Sequence, residues 1–207
     1  MFDMQFIASD IVVVLLNDKF YNYNLKGEVI NSVRIRTDSY SRIACINHCK
    51  IAVSVPGNDL IEIVTIIAPT QITDLITPVG TRMTGGITCR MDILYVAFSD
   101  AIRLMDLSGQ IQKLINIPSV NILHSVNNDK MLCVYSKDNS DKTMSCLDFT
   151  NDSVYDFEQF PFYPEDVTTD ESGNIIFVED NVIWQADSDG KNITIIISGK
   201  ITNRLKV

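Results

Sequence analysis

Long apolar runs are missing from this chain of 207 residues. The longest near the start, Ile11–Asn17, is closed off by Asp10 and Asp18, and a bilayer span needs about 20 apolar residues. No basic flank or small-residue cleavage site makes that run a signal peptide. Basic charge is also scarce. Seventeen Lys and Arg against 26 Asp and Glu leave a net charge of -9 and a pI near 4.6. Such acidity opposes the phosphate backbone, so the expectation is no generic nucleic-acid affinity. Helical periodicity is absent as well, and no Pro/Gly/Ser-rich linker divides the chain. The reading is therefore one domain over 1–207. Zinc chemistry lacks ligands: Cys45-x-x-His48-Cys49 stands alone, with no second pair at finger-like spacing. Cys45 then reads as a small strand residue and Cys49 as a turn residue. Five cysteines without a leader read as reduced thiols in a cytoplasmic chain. Neither metal nor cofactor is expected.

What the chain does have is short β-prone runs cut by turns. Hydrophobic residues make up 46% and charged residues 21%, enough apolar side chain for a sizeable core. Between Glu165 and Ser198 four runs (Asp166–Thr169, Asn174–Val178, Val182–Ala186, Ile193–Ile197) alternate with Asp/Asn/Gly/Ser clusters. Gly and Asn accept positive φ, and Asp and Ser bond to turn backbone, so these clusters are hairpin turns. Four antiparallel strands in about 40 residues describe one blade of a β-propeller.

The unit repeats. Gly27, Gly109 and Gly190 mark one turn, spaced by 82 and 81 residues, twice a period near 41. Half a step predicts turns at Ala68-Pro69-Thr70 and Thr150–Ser153. Asp18, Asp59, Asp100 and Asp141 follow at intervals of 41, then Asp180 after 39. The predicted fold class is an all-β propeller of four-stranded antiparallel blades. Its blades lie approximately at 4–36, 41–79, 85–118, 121–160 and 165–198. Five units imply a five-bladed ring or an incomplete six-bladed one. The start inside a blade and an end without a turn lean towards a fragment, and the tail Gly199–Val207 reads either as the beginning of a sixth unit or as a return to pair with blade one.

The fifth unit carries Asp170-Glu171-Ser172-Gly173-Asn174, Ile175–Val178 and Asp187-Ser188-Asp189-Gly190-Lys191. The third carries Leu94–Ala97, Ala101–Asp106 and Leu107–Gln110. These stretches resemble the NHL repeat, and the divergent version here looks like the C-terminal propellers of tripartite-motif (TRIM) proteins. That resemblance implies a propeller that binds proteins or RNA, often as the substrate-recruiting part of a ubiquitin ligase. The zinc-binding RING of such ligases is not in this chain.

Functional candidates are few. The aspartate ladder puts one carboxylate in each loop between second and third strands; turn chemistry explains it, with an acidic ring as the rival reading. A calcium-dependent hydrolase needs carboxylates converging from the innermost strands. Those strands read Phe6-Ile7-Ala8, Ile43-Ala44-Cys45, Ile87-Thr88-Cys89, Leu123-His124-Ser125 and Val167-Thr168-Thr169, small and apolar apart from His124. No catalytic constellation follows. The loops between blades carry Tyr40, Arg42, Arg82, Phe162 and Tyr163, residue types enriched where proteins bind partners. The expected function is a non-catalytic propeller recruiting a protein partner on that loop face, with no membrane contact. RNA binding is the alternative, with Arg34, Arg36, Arg42 and Arg82 as its basic surface.

Overall fold

The computed structural model describes residues 2–8, 11–66, 70–127, 129–136, 142–151, 153–157 and 164–198. These form twenty strands in five sheets, each of four consecutive antiparallel strands. Blade one holds β1 (Phe2–Ala8), β2 (Ile11–Leu16), β3 (Lys19–Asn24) and β4 (Val29–Arg34). Blade two holds β5 (Ile43–Asn47), β6 (Lys50–Val55), β7 (Leu60–Thr65) and β8 (Gln71–Ile76). Blade three holds β9 (Met83–Arg90), β10 (Ile93–Phe98), β11 (Ile102–Met105) and β12 (Ile111–Ile115). Blade four follows with β13 (Val120–Ser125), β14 (Lys130–Ser136), β15 (Lys142–Asp148) and β16 (Ser153–Asp156). Blade five closes the series with β17 (Asp166–Thr169), β18 (Ile175–Glu179), β19 (Val182–Ala186) and β20 (Thr194–Ser198). The architecture is the expected all-β propeller class.

Turn chemistry recurs at the ends of these strands. Asn24, Asp106 and Asp170 each accept the backbone N–H groups two and four residues ahead, at 2.9–3.0 Å. In each case the glycine three residues on donates back to the same residue's carbonyl. Asp187 and Gly190 repeat that last bond at 2.8 Å. The four glycines lie at φ 77, 85, 82 and 77°, the left-handed region where a Cβ is strained. One local motif, Asp or Asn followed three residues later by Gly, thus builds four hairpins. The turn predicted at Thr150–Ser153 falls between β15 and β16; the one at Ala68–Pro69 lies outside the described residues.

The chain forms two compact units, 1–123 and 124–207. In the first, β5 packs between β1 and β9. Its core is a cluster from blades one and two (Val13, Leu15, Phe20, Ile43, Ile51, Val53 and Val64) and another from blades two and three (Ala52, Ile61, Ile63, Leu94, Val96 and Phe98). The second strands β6 and β10 are buried along nearly their whole length, which is why they read as continuous apolar runs rather than alternating ones. In the second unit Met131, Cys133, Met144, Phe157, Val167, Ile175 and Phe177 are buried, and Phe177 stacks on Trp184 at 6.3 Å.

The first strands β9 and β1 begin earlier than the innermost runs read from the sequence. β9 begins at Met83, four residues before Ile87, because Gly85 and Gly86 continue the strand. β1 begins at Phe2, four residues before Phe6, and so takes in Asp3, which is buried. An innermost strand therefore does carry a carboxylate. Its oxygens take backbone donors: Asp3 Oδ2 accepts the N–H of Ile43 on β5 at 2.5 Å and Oδ1 that of Met4 at 2.8 Å.

Candidate functional site

In the first unit, the segments entering blades two and three share a face with the aspartate turns. The link is made of hydrogen bonds: Thr37 Oγ1 donates to the Asn17 carbonyl, and Thr81 Oγ1 to Asp100. Ile35 N–H adds a bond to the Asp18 carbonyl at 3.1 Å.

Asp38 organises the first of these segments. Its Oδ1 accepts the Tyr40 N–H at 2.7 Å and its Oδ2 the Gly57 N–H, at 2.5 Å. Its own N–H donates to Ser41 Oγ at 2.8 Å, and Ser41 N–H returns a bond to the Asp38 carbonyl at 3.2 Å. The Tyr40 carbonyl presses against Gly85, where a Cβ would collide with it. Both sides of Tyr40 are thus held, yet the residue is 57% exposed. Arg82 is exposed as well, on a backbone whose carbonyl accepts Ser99 N–H at 2.9 Å. Arg42 is half-buried, with its backbone paired to Ser54 at 2.9 Å and 3.1 Å. Tyr40 and Arg82 are therefore exposed on hydrogen-bonded backbone, whereas Arg42 is half-buried. Phe162 and Tyr163 lie outside the described residues.

The ladder aspartates do more than close their own turns. Asp18 holds Arg34 at 2.8 Å. Asp59, in the left-handed region at φ 47°, accepts the N–H of Met83 at 3.0 Å, tying blade two to the first residue of β9. Asp100 takes Arg103 at two points and Thr81 at a third. That set of donors holds its carboxyl at about 2, well below the usual range. Asp18 and Asp100 are thus paired with arginines, and Asp59 with a backbone N–H. Asp141 lies outside the described residues. Among the described residues no group of three His, Cys, Asp or Glu side chains is placed to hold a metal ion.

The same pairing thins the proposed basic surface. Arg34 is spoken for by Asp18, and Arg36 lies 3.8 Å from Glu62. Glu62, on β7, is buried and accepts the Arg36 N–H at 3.1 Å. Burial pushes its carboxyl up, against the pull of Arg36. Beside this pair is a cleft of about 330 Å³ lined by Arg34, Ile35, Arg36, Glu62, Ile72 and Leu75. Sequence reasoning missed it because Ile72 and Leu75 differ in parity along β8. A bulge at Thr73 sets Ile72 opposite Val64 and Leu75 opposite Glu62, which turns both side chains to one face.

His124, the lone ionisable residue expected on an inner strand, meets Thr169 Oγ1 through Nε2 at 3.3 Å. Burial lowers it to about 4, so it is neutral near pH 7. The five cysteines are unpaired thiols. Cys45 is half-buried in β5 and Cys49 follows in the turn, bonded to Asn47. Burial raises Cys89 to about 11, which makes it a poor nucleophile.

No protein-family profile matches the sequence, and no curated protein matches it. Solved structures do match in fold. The Neurospora crassa Pan2 WD40 domain superposes with a TM-score of 0.63 at 14% identity, over 93% of this chain and 63% of that one. Hydrazine synthase from Kuenenia stuttgartiensis gives 0.66 at 14% identity, over 93% and 64%. A catalytically inactive virginiamycin B lyase from Staphylococcus aureus, with quinupristin, gives 0.64 at 14% identity, over 95% and 69%. The chain spans less than two thirds of the first two. At such identity the likeness concerns architecture, and it places the chain in the β-propeller fold class, alongside WD40 domains.

Proposed function

We propose that this propeller is a non-catalytic recruitment module whose partner is a protein docking on the face that carries Tyr40, Arg42 and Arg82. The observation that carries the reading is Tyr40: a large aromatic held out to solvent on a loop that Asp38 pins from several directions. An exposed aromatic on a pre-ordered backbone loses little entropy on binding, the usual property of an interface anchor. Arg82 adds a charged donor on the same face. The fold is shared with WD40 domains, which generally act as interaction scaffolds. The finer reading, a substrate-recruiting part of a TRIM-like ubiquitin ligase in the cytoplasm, rests on the NHL-like turns around Gly109 and Gly190. Two of the four arginines offered for RNA are held by Asp18 and Glu62, which favours protein over nucleic acid.

Quantitative affinity capture with the wild-type chain and a Tyr40→Ala/Arg82→Ala variant tests this. The expected result is a set of proteins bound by the wild type and lost from the variant, at unchanged melting temperature. Equal capture by both sinks the reading. Binding of an RNA pool that weakens steeply with salt would put nucleic acid first.

A further inference from the structure

Among the described residues, the outermost strand of each blade leaves one backbone edge without a partner in its sheet, and such edges pair with other strands unless something blocks them. Four of the five are blocked. β4 carries Arg34, β8 carries Asp74 and β12 carries Lys113, all exposed. β16 is only four residues long and turns Asp156 inward to Tyr135 and Ser145. β20, Thr194-Ile195-Ile196-Ile197-Ser198, has no charge at all, and every residue in it is exposed. Its isoleucines are 53%, 46% and 51% exposed. A bulge does not set it apart, since β4, β8 and β12 are bulged against their neighbours too.

We propose that β20 is a self-association edge, pairing antiparallel with β20 of a second copy about a two-fold axis through Ile196. The strand's own sequence selects this occupant, because it reads nearly the same in both directions. Turned about Ile196, Thr194 falls opposite the partner's Ser198 and Ile195 opposite the partner's Ile197. Hydroxyls then meet hydroxyls at the rims and isoleucines meet isoleucines at the centre, with no like charges opposed. The bulge opposite the Ile183–Trp184 step leaves Ile196 without a counterpart on β19, so the axial residue is the one its own sheet uses least.

Sedimentation equilibrium of the full chain over a concentration series tests the proposal. The expected mass rises towards twice 23.3 kDa, and Ile196→Lys, which sets a cation against its own copy, returns it to the monomer value. Leu114→Lys on β12 is the control and leaves the dimer intact. Wild-type chain that stays monomeric throughout, or an Ile196→Lys variant that still dimerises, overturns it. Mild oxidation of Ile196→Cys gives a second readout that does not depend on the Lys variant folding. A residue on the axis of an antiparallel pair lies about 4.5–5.5 Å from its copy between Cα atoms, within disulfide reach. A covalent dimer beyond that of the parent chain supports the geometry, and its absence counts against it. If the intact chain is monomeric and removing 199–207 creates the dimer, those residues cover the edge and the proposal fails.

Discussion

Arg103 meets Asp100 through two parallel bonds, Nη1 to Oδ1 at 2.9 Å and Nη2 to Oδ2 at 3.0 Å, while its guanidinium lies 4.1 Å from the Phe98 ring centroid. Gly80 is the close neighbour on its other side, where a Cβ would come within 2.7 Å of the guanidinium carbon. One buried arginine thus joins β11, the turn before it and the segment entering blade three. A lysine there keeps the charge but loses the fork and the ring stacking. Arg103→Lys should cost about 1–2 kcal/mol, the lower figure because Asp100 is half exposed, read from urea unfolding at neutral pH.

The same pair sets an acid dependence. Asp100 titrates at about 2 in the folded chain against an ordinary 3.8, so below 3.8 the unfolded chain takes up protons that the folded chain does not. Its stabilisation is complete above 3.8 and is lost as pH falls through about 2. In Arg103→Met the slope of stability against pH in that window should flatten; an unchanged slope would remove Asp100 as its source.

His124 acts at milder pH. Burial lowers it from 6.5 to about 4, so protons bind the unfolded chain first as pH drops below 6.5. Stability should fall between 6.5 and about 4 and change no further on this account below that. His124→Gln, which can still bond Thr169, should erase that part of the decline in a thermal-shift titration.

Gly27 and Gly190 separate two costs. Both lie at φ 77°, but a Cβ at Gly27 meets nothing within 4 Å, whereas one at Gly190 strikes the Phe157 ring. Gly27→Ala carries only the backbone strain, about 1 kcal/mol. Gly190→Ala adds overpacking and should cost roughly 2–4 kcal/mol. Equal losses would mean that the ring moves aside freely.

Gly85 connects the core to the candidate face. A Cβ there, at φ 111°, would run into the Tyr40 carbonyl, a backbone atom that cannot swing away. Gly85→Ala should displace the Asp38 turn and strip hydrogen-exchange protection from the Tyr40 and Gly57 amides. Retained protection at both would show that the turn is held by Asp38 alone.

The repeat, the strand count and the hairpin positions were legible in the linear chain because their causes are local. Positive φ at a glycine, an aspartate or asparagine side chain reaching backbone two residues on, and an apolar run beside a polar cluster all act within a few residues. So the turns at Gly27, Gly109, Gly173 and Gly190 stand where composition put them. The ladder aspartates were found by spacing, but their roles were not. Arg34 is 16 residues from Asp18, Glu62 is 26 from Arg36, and Ile43 is 40 from Asp3. Which of these partners meet depends on strand register and blade packing. The bulge at Thr73 makes the point in miniature: one extra residue turned Ile72 and Leu75 to the same side and opened a cleft that strict alternation hides. Composition and local turn chemistry determined a bladed all-β protein. Only tertiary packing decided that Asp18 meets Arg34, that Glu62 meets Arg36 and that Tyr40 stands out from a loop pinned by Asp38, because side chains far apart in the chain become neighbours only once the sheets are stacked.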